Sequence, residues 1–266
     1  MDLGIAGERA LVLGGTKGLG YSCAEHLARE GVAHGVVGSA PAGGDAAAEA
    51  LSVLYGGAQA QFIEGDLSDP AARGAIVDAA RSALGGDISI LVTNAGGPPP
   101  GEFTEQALDS WRAAFEVNML AHIEVAQALL PAMLENRFGR IVNITSFAAK
   151  QPYPNMALAN SLRAALHGAM STLAREVVNR GVTVNNLLPG LMATGALERV
   201  IKARMAKAGS SEEEVKAAMA GRAAGTGGRL RACLRLSLLA PCRLHHGAEH
   251  CRGWRAHPRS FLILEL

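Results

Sequence analysis

ALVLGGTKGLGYSCAEHLAREG, residues 10–31, opens as an unbroken apolar run, turns on glycines and continues with helical spacing. Residues 10–15 carry no polar alternation, the pattern of a strand covered on both faces. Gly14, Gly18 and Gly20 then allow a tight turn. They also let backbone N–H groups approach an anion at the start of a helix. The helical segment closes on Gly31, a residue that ends helices readily. Strand, glycine turn and helix in this order predict the first unit of a parallel sheet and a site for a dinucleotide pyrophosphate. Thr16, Lys17 and Leu19 lie inside the same loop and join the candidate site.

The same alternation continues through the chain. VAHGVVGS (32–39), AQFIEGD, ISILVTNAGG, GRIVNITS and GVTVNNLLPG read as further strands. Helical segments are predicted over about 44–55, in SDPAARGAIVDAARSALGG, over roughly 104–136 and over 157–180. The second of these segments starts with a Ser/Asp cap and a first-turn proline. Alternating strands and helices imply parallel pairing through right-handed crossovers. The predicted fold is therefore α/β, a Rossmann-type doubly wound parallel sheet in a single domain.

The 266 residues are 49% hydrophobic, enough to bury a substantial core. No unbroken run of 18 apolar residues occurs, and the first residues lack the basic-then-apolar pattern of a secretion signal. The expectation is a cytoplasmic protein with no membrane partner. The net charge of +1 is unevenly placed: 18 basic and 22 acidic side chains precede residue 225, and seven arginines and two glutamates follow it. Residues 1–224 are read as the nucleotide-binding domain and 225–266 as an atypical tail.

With these motifs in view the chain resembles the short-chain dehydrogenase/reductase family over roughly residues 8–222. The family's Thr-Gly-x-x-x-Gly-x-Gly appears with Leu13 in place of Thr. Its Asn-Asn-Ala-Gly appears as Thr93-Asn94-Ala95-Gly96. Its helix Asn matches Asn118, and its Pro-Gly-x-x-x-Thr matches Pro189, Gly190 and Thr194. Its adenine-contacting Asp matches Asp66, followed by Leu67. The resemblance implies a nicotinamide dinucleotide, a small carbonyl/alcohol substrate such as a 3-oxoacyl thioester, and a homodimer or homotetramer. NADP(H) is favoured over NAD(H). No acid ends the second strand to repel a 2′-phosphate. Lys17 resembles the basic residue of NADP-preferring members, and Ser39 offers a hydroxyl.

One part of the family pattern is missing. Its serine is present as Ser146, but the Tyr-x-x-x-Lys that should follow is occupied by Ala159 and Arg163. Leu166, Gly168 and the following strand keep the register, so the change is a substitution. In the family the Tyr protonates the oxyanion left by hydride addition, and the Lys lowers its pKa while holding the nicotinamide ribose. Ala159 has no proton to give. Arg163 donates hydrogen bonds but keeps its proton. Ser146, Asn118 and Arg163 are the remaining catalytic candidates. Tyr153, in the loop between Ser146 and the helix, is the alternative acid. A rival expectation is a nucleotide-binding protein without turnover.

The tail holds Cys242, His245, His246, His250 and Cys251, residue types that bind zinc, but at no common finger spacing. No metal site is expected, and no nucleic-acid partner despite the arginines. RLHHGAEHCRGWR (243–255) has codons that, with one base dropped, can read GYITGQNIAVDGG. That is a seventh-strand signature of the resembled family. Residues from about 225 are accordingly read as an out-of-frame translation, and the seventh strand as missing. The DNA around codons 215–255 decides this directly.

Overall fold

The computed structural model describes residues 3–54, 59–192, 195–220 and 224–225. Six parallel strands form one sheet in the order β3-β2-β1-β4-β5-β6. They are β1 (Arg9–Val12), β2 (Ala33–Gly38), β3 (Ala60–Glu64), β4 (Ile90–Thr93), β5 (Gly139–Ile144) and β6 (Val182–Leu187). All six coincide with the apolar runs of the sequence. β1, β4 and β5 are almost wholly buried, as strands covered on both faces must be.

The helices between strands are α1 (Gly18–Arg29), α2 (Pro41–Leu54), α3 (Pro70–Leu84), α4 (Leu108–Phe115), α5 (Ala121–Glu135) and α6 (Ala157–Val177). Asp69 caps α3, its side chain accepting from the Ala71 amide, with Pro70 in the first turn. Gly85 ends α3 at a positive φ of 71°. One apolar cluster gathers Leu11, Val125, Leu129 and Leu166; the other gathers Val12, Leu27, Val92 and Leu187. Each side of the sheet is thus closed by its own set of helices.

The long helix expected over about 104–136 runs from Leu108 to Glu135 with an irregular turn inside it. A π-helical turn, Glu116–Leu120, separates α4 from α5. Arg73 of α3, 2% exposed, ties this region down by pairing with both Glu116 and Glu124 at 2.9 Å. By length and a mean hydropathy of 1.3, the segment Leu108–Glu135 could cross a membrane, which qualifies the expectation drawn from apolar run length. In this fold its Ala121, Val125, Leu129 and Met133 are spent on the sheet core.

Beyond β6 come β7 (Leu191–Met192), α7 (Gly195–Ala208), α8 (Glu212–Ala220) and β8 (Ala224–Gly225). β7 and β8 pair with each other, and β6 is the edge of the main sheet among the described residues. The segment in which a seventh strand was sought, and the tail's cysteines and histidines, lie outside the described residues.

Strand order reverses between β1 and β4: the chain winds from β1 to β2 and β3 on one side, then returns to β4 on the other. The loops after β1 and β4 therefore diverge at the carboxyl end of the sheet and leave a crevice. This places the site.

Candidate active site

The loop after β1 turns at Gly14 and Gly18, with φ of 56° and 60°. A side chain at either position would sit in a left-handed conformation that costs energy. Gly20 is required for a different reason: a Cβ there would overlap the Gly14 carbonyl. The loop is thus packed onto itself, with α1 starting at Gly18. Across the crevice, Asn94 Nδ2 donates to the Gly14 carbonyl at 3.1 Å. That bond pins the β4 loop to the glycine loop and holds Ala95 and Gly96 beside it.

The adenine-side candidates are separate from this bond but contiguous with the loop. The Thr16 side chain lies against Gly38, where a Cβ would come within 2.8 Å of it. The loop bearing exposed Lys17 therefore meets the end of β2, where Ser39 is exposed. Asp66 is exposed after β3; its Oδ1 accepts from the Ser68 amide and hydroxyl at 2.9 and 2.8 Å. Those bonds hold the carboxyl below its usual range and keep it charged. Leu67, beside it, is buried.

A cleft of about 440 Å³ continues the crevice from this loop towards β5 and α6. Leu19, Asn94, Ala95, Pro189 and Gly190 line it together with Ser146, Ala159 and Arg163. Five of the cofactor candidates and two of the catalytic candidates, Ser146 and Arg163, thus share one space. Thr194 lies outside the described residues. Gly97 to Pro100 also line the cleft, as do Met192, Leu197, Arg199 and Val200.

Ser146 leaves β5 in an extended conformation and its Oγ accepts from the Ala148 amide at 3.1 Å. Its hydroxyl proton remains available to the cleft. Arg163 reaches from α6 to the end of β5, where Nη1 donates to the Ile144 carbonyl at 2.5 Å. Burial lowers its pKa to about 10, so it stays protonated at neutral pH. Ala159, one turn earlier on α6, presents a methyl group to the same cleft.

Two candidates lie outside the lining of this cleft. Asn118 does not line the cleft; the π turn holds it 2% exposed with Oδ1 unpartnered. Tyr153 is likewise packed away, 5% exposed, with its ring edge-on to Phe147 and beneath Arg204. Asn160 brackets its backbone, donating to the Tyr153 carbonyl and accepting from its amide. Tyr153→Phe is expected to change any turnover by less than about twofold, measured under saturating cofactor. A collapse of activity would make Tyr153 the acid after all.

His122 escaped the sequence reading because only packing reveals it. It is fully buried one turn after Asn118, and neither ring nitrogen has a partner. Burial first, then the charges of Arg163 and Arg73, lower its pKa to about 3. The unfolded chain takes up this proton near pH 6.5, whereas the folded chain resists until about 3. Stability should therefore fall as pH drops below about 6.5, by up to about 1.4 kcal/mol per unit from this residue. Denaturant titrations at pH 7, 6 and 5 should show a shallower fall in His122→Leu; an unchanged slope would contradict this.

A family profile described as short chain dehydrogenase matches residues 8–204. The chain is 32% identical over 192 residues to the 3-oxoacyl-[acyl-carrier-protein] reductase FabG of Haemophilus influenzae, covering 72% of this chain and 77% of that one. It is 33% identical over 192 residues to the 2,5-dichloro-2,5-cyclohexadiene-1,4-diol dehydrogenase LinX of Sphingobium indicum, covering 71% and 75%. L-Sorbose reductase from Gluconobacter frateurii, solved with NADPH and L-sorbose, superposes with a TM-score of 0.82 at 27% identity, covering 91% and 92%.

Proposed function

The chain belongs to the short-chain dehydrogenase family, and from that premise we propose that it is an NADP(H)-dependent oxidoreductase interconverting a ketone and an alcohol. The observation that carries this reading is the single cleft joining Asn94, Ala95, Pro189 and Gly190 to Ser146 and Arg163. The dinucleotide fits the residues present. The glycine loop has no room for a Cβ at Gly20, and Gly18 faces open space where the pyrophosphate would lie. Gly14, Thr16, Gly18 and Leu19 would hold that group, with Asp66 and Leu67 on the adenine side. The nicotinamide supplies a hydride when bound.

The chain's own side chains do the rest. Ser146 offers a hydroxyl proton to the carbonyl oxygen as negative charge develops there. Arg163 contributes a fixed positive charge at the floor of the cleft. The apolar walls at Pro98, Pro99, Pro100 and Met192 limit water around the reacting carbon. Nothing at position 159 transfers a proton, so protonation of the product oxygen falls to solvent. The substrate of the Haemophilus relative makes a 3-oxoacyl thioester one candidate ketone. The cytoplasm is the location this reading expects.

A second reading follows from Ala159 itself: a protein that binds the nucleotide with little or no turnover. NADPH oxidation over a ketone panel, beside an NADPH titration, separates the two. Binding without oxidation supports the second.

The preference for NADP(H) rests on Lys17 and Ser39, each the sequence neighbour of a residue in the Thr16–Gly38 contact. Lys17→Ala is expected to weaken NADPH about tenfold or less and leave NADH nearly unchanged, since exposed phosphate contacts are individually modest. Equal weakening of both cofactors would move the 2′-phosphate elsewhere.

A further inference from the structure

Arg163 is 7% exposed, and its recorded hydrogen bond goes to a neutral carbonyl, that of Ile144. Among the described residues no carboxylate pairs with it, and burial alone shifts its pKa. The contrast with Arg73 is direct: equally buried, Arg73 meets two glutamates. A buried cation without a counter-charge is strongly unfavourable, and proteins normally supply one from a side chain or a ligand.

The cleft shows the same imbalance. Its charged lining residues among those described are Arg163 and Arg199, and no acid is present. Arg199 stands exposed on α7, so one cation is at the floor and one at the surface. The methyl group of Ala159 leaves the space above the guanidinium clear. Ser146 and the three prolines close the sides.

We infer that the cleft takes a carboxylate-bearing ligand, an oxo acid, whose carboxylate docks on the Arg163 guanidinium while its carbonyl lies towards Ser146. A planar fork matches a carboxylate through two parallel hydrogen bonds, which a lysine ammonium cannot do. The substitution that removes the proton donor thereby creates an anion seat. Arg199 attracts the same charge from solvent at longer range. The word substrate here rests on the oxidoreductase reading; the anion seat rests on the cleft alone.

The test uses the full chain with oxamate, an unreactive oxo-acid mimic, and its neutral ester, ethyl oxamate. Calorimetry at low salt should show oxamate binding at least about tenfold tighter, one decade of affinity being a modest return for a charge-assisted pair. Arg163→Gln should abolish that preference, Arg163→Lys should keep part of it, and Arg199→Gln should reduce affinity only slightly. Equal binding of the two probes by the parent chain overturns the inference, whether or not the Arg163 variants fold. So does a preference that survives Arg163→Gln but vanishes in Arg199→Gln. Inorganic phosphate outcompeting oxamate would overturn it in favour of a phosphorylated ligand. An NADPH titration on the same samples keeps the two readings apart. NADPH binding without oxamate preference sinks only the anion seat; oxamate preference without NADPH binding sinks the nucleotide site.

Discussion

Gly20→Ala should lose stability together with some NADPH affinity, whereas Gly18→Val should lose NADPH affinity outright, beyond what its backbone strain costs in stability. The difference follows from what each added Cβ would meet. At Gly20 it overlaps the Gly14 carbonyl and approaches Asn94 Nδ2, so backbone must move. Overpacking of that kind costs about 1–3 kcal/mol or more. It also disturbs the Asn94–Gly14 bond that fixes the crevice, and at about 1.4 kcal/mol per decade an affinity loss of about 10- to 100-fold follows. At Gly18 nothing lies within 4 Å. The folded chain feels only the left-handed φ, about 1–2 kcal/mol and at the upper end for a β-branched side chain. The valine instead fills the space where a pyrophosphate would bind, and NADPH binding should become undetectable. Thermal unfolding without cofactor and fluorescence titration with NADPH separate the two effects. Unchanged NADPH affinity in Gly18→Val would show that the pyrophosphate does not bind at this loop.

Most of this loop was legible because each glycine has a local cause: a strand ends, a helix begins and the turn between them needs positive φ. The six strands were legible for a similar reason, since burial on both faces leaves an apolar run that no other element of that length produces. The site's partners across the crevice could be placed only through the family motif, since no local pattern says that Asn94 reaches Gly14, 80 positions away. The depth of Arg163 was not legible at all. Helical spacing puts residues 159 and 163 on one face, but not how far that face sinks or that no acid among the described residues comes to meet it. The irregular turn at Glu116–Leu120 was hidden because EVNML has good helical composition; Arg73, distant in sequence, meets residues on both sides of it through Glu116 and Glu124.

The Ala159→Tyr, Arg163→Lys double variant should turn over ketones faster than the parent chain. Positions 159 and 163 share the cleft with Ser146, so the restored phenol would arrive where an oxyanion would form. A positioned general acid contributes about 10²–10⁴-fold. The gain should reach only part of that range, because two things work against it. The cleft has adapted to a methyl group at 159, and the lysine must replace a guanidinium seated on the Ile144 carbonyl. Ala159→Tyr alone is the informative intermediate. A nearby cation lowers a phenol's pKa, so Arg163 should already activate the new tyrosine in part. Arg163→Lys alone should gain nothing, since it supplies no acid. The same double variant should lose some preference for oxamate over ethyl oxamate, exchanging the anion seat for a proton donor. NADPH oxidation should be followed for the chain as it stands and for one whose residues after 224 are read in the shifted frame. A parent and a double variant that both bind NADPH and both stay inert would move the assignment from reductase to nucleotide-binding protein. A parent that turns over an oxo acid, and a double variant that shifts towards neutral ketones, would tie the loss of the tyrosine to the gain of a charged substrate.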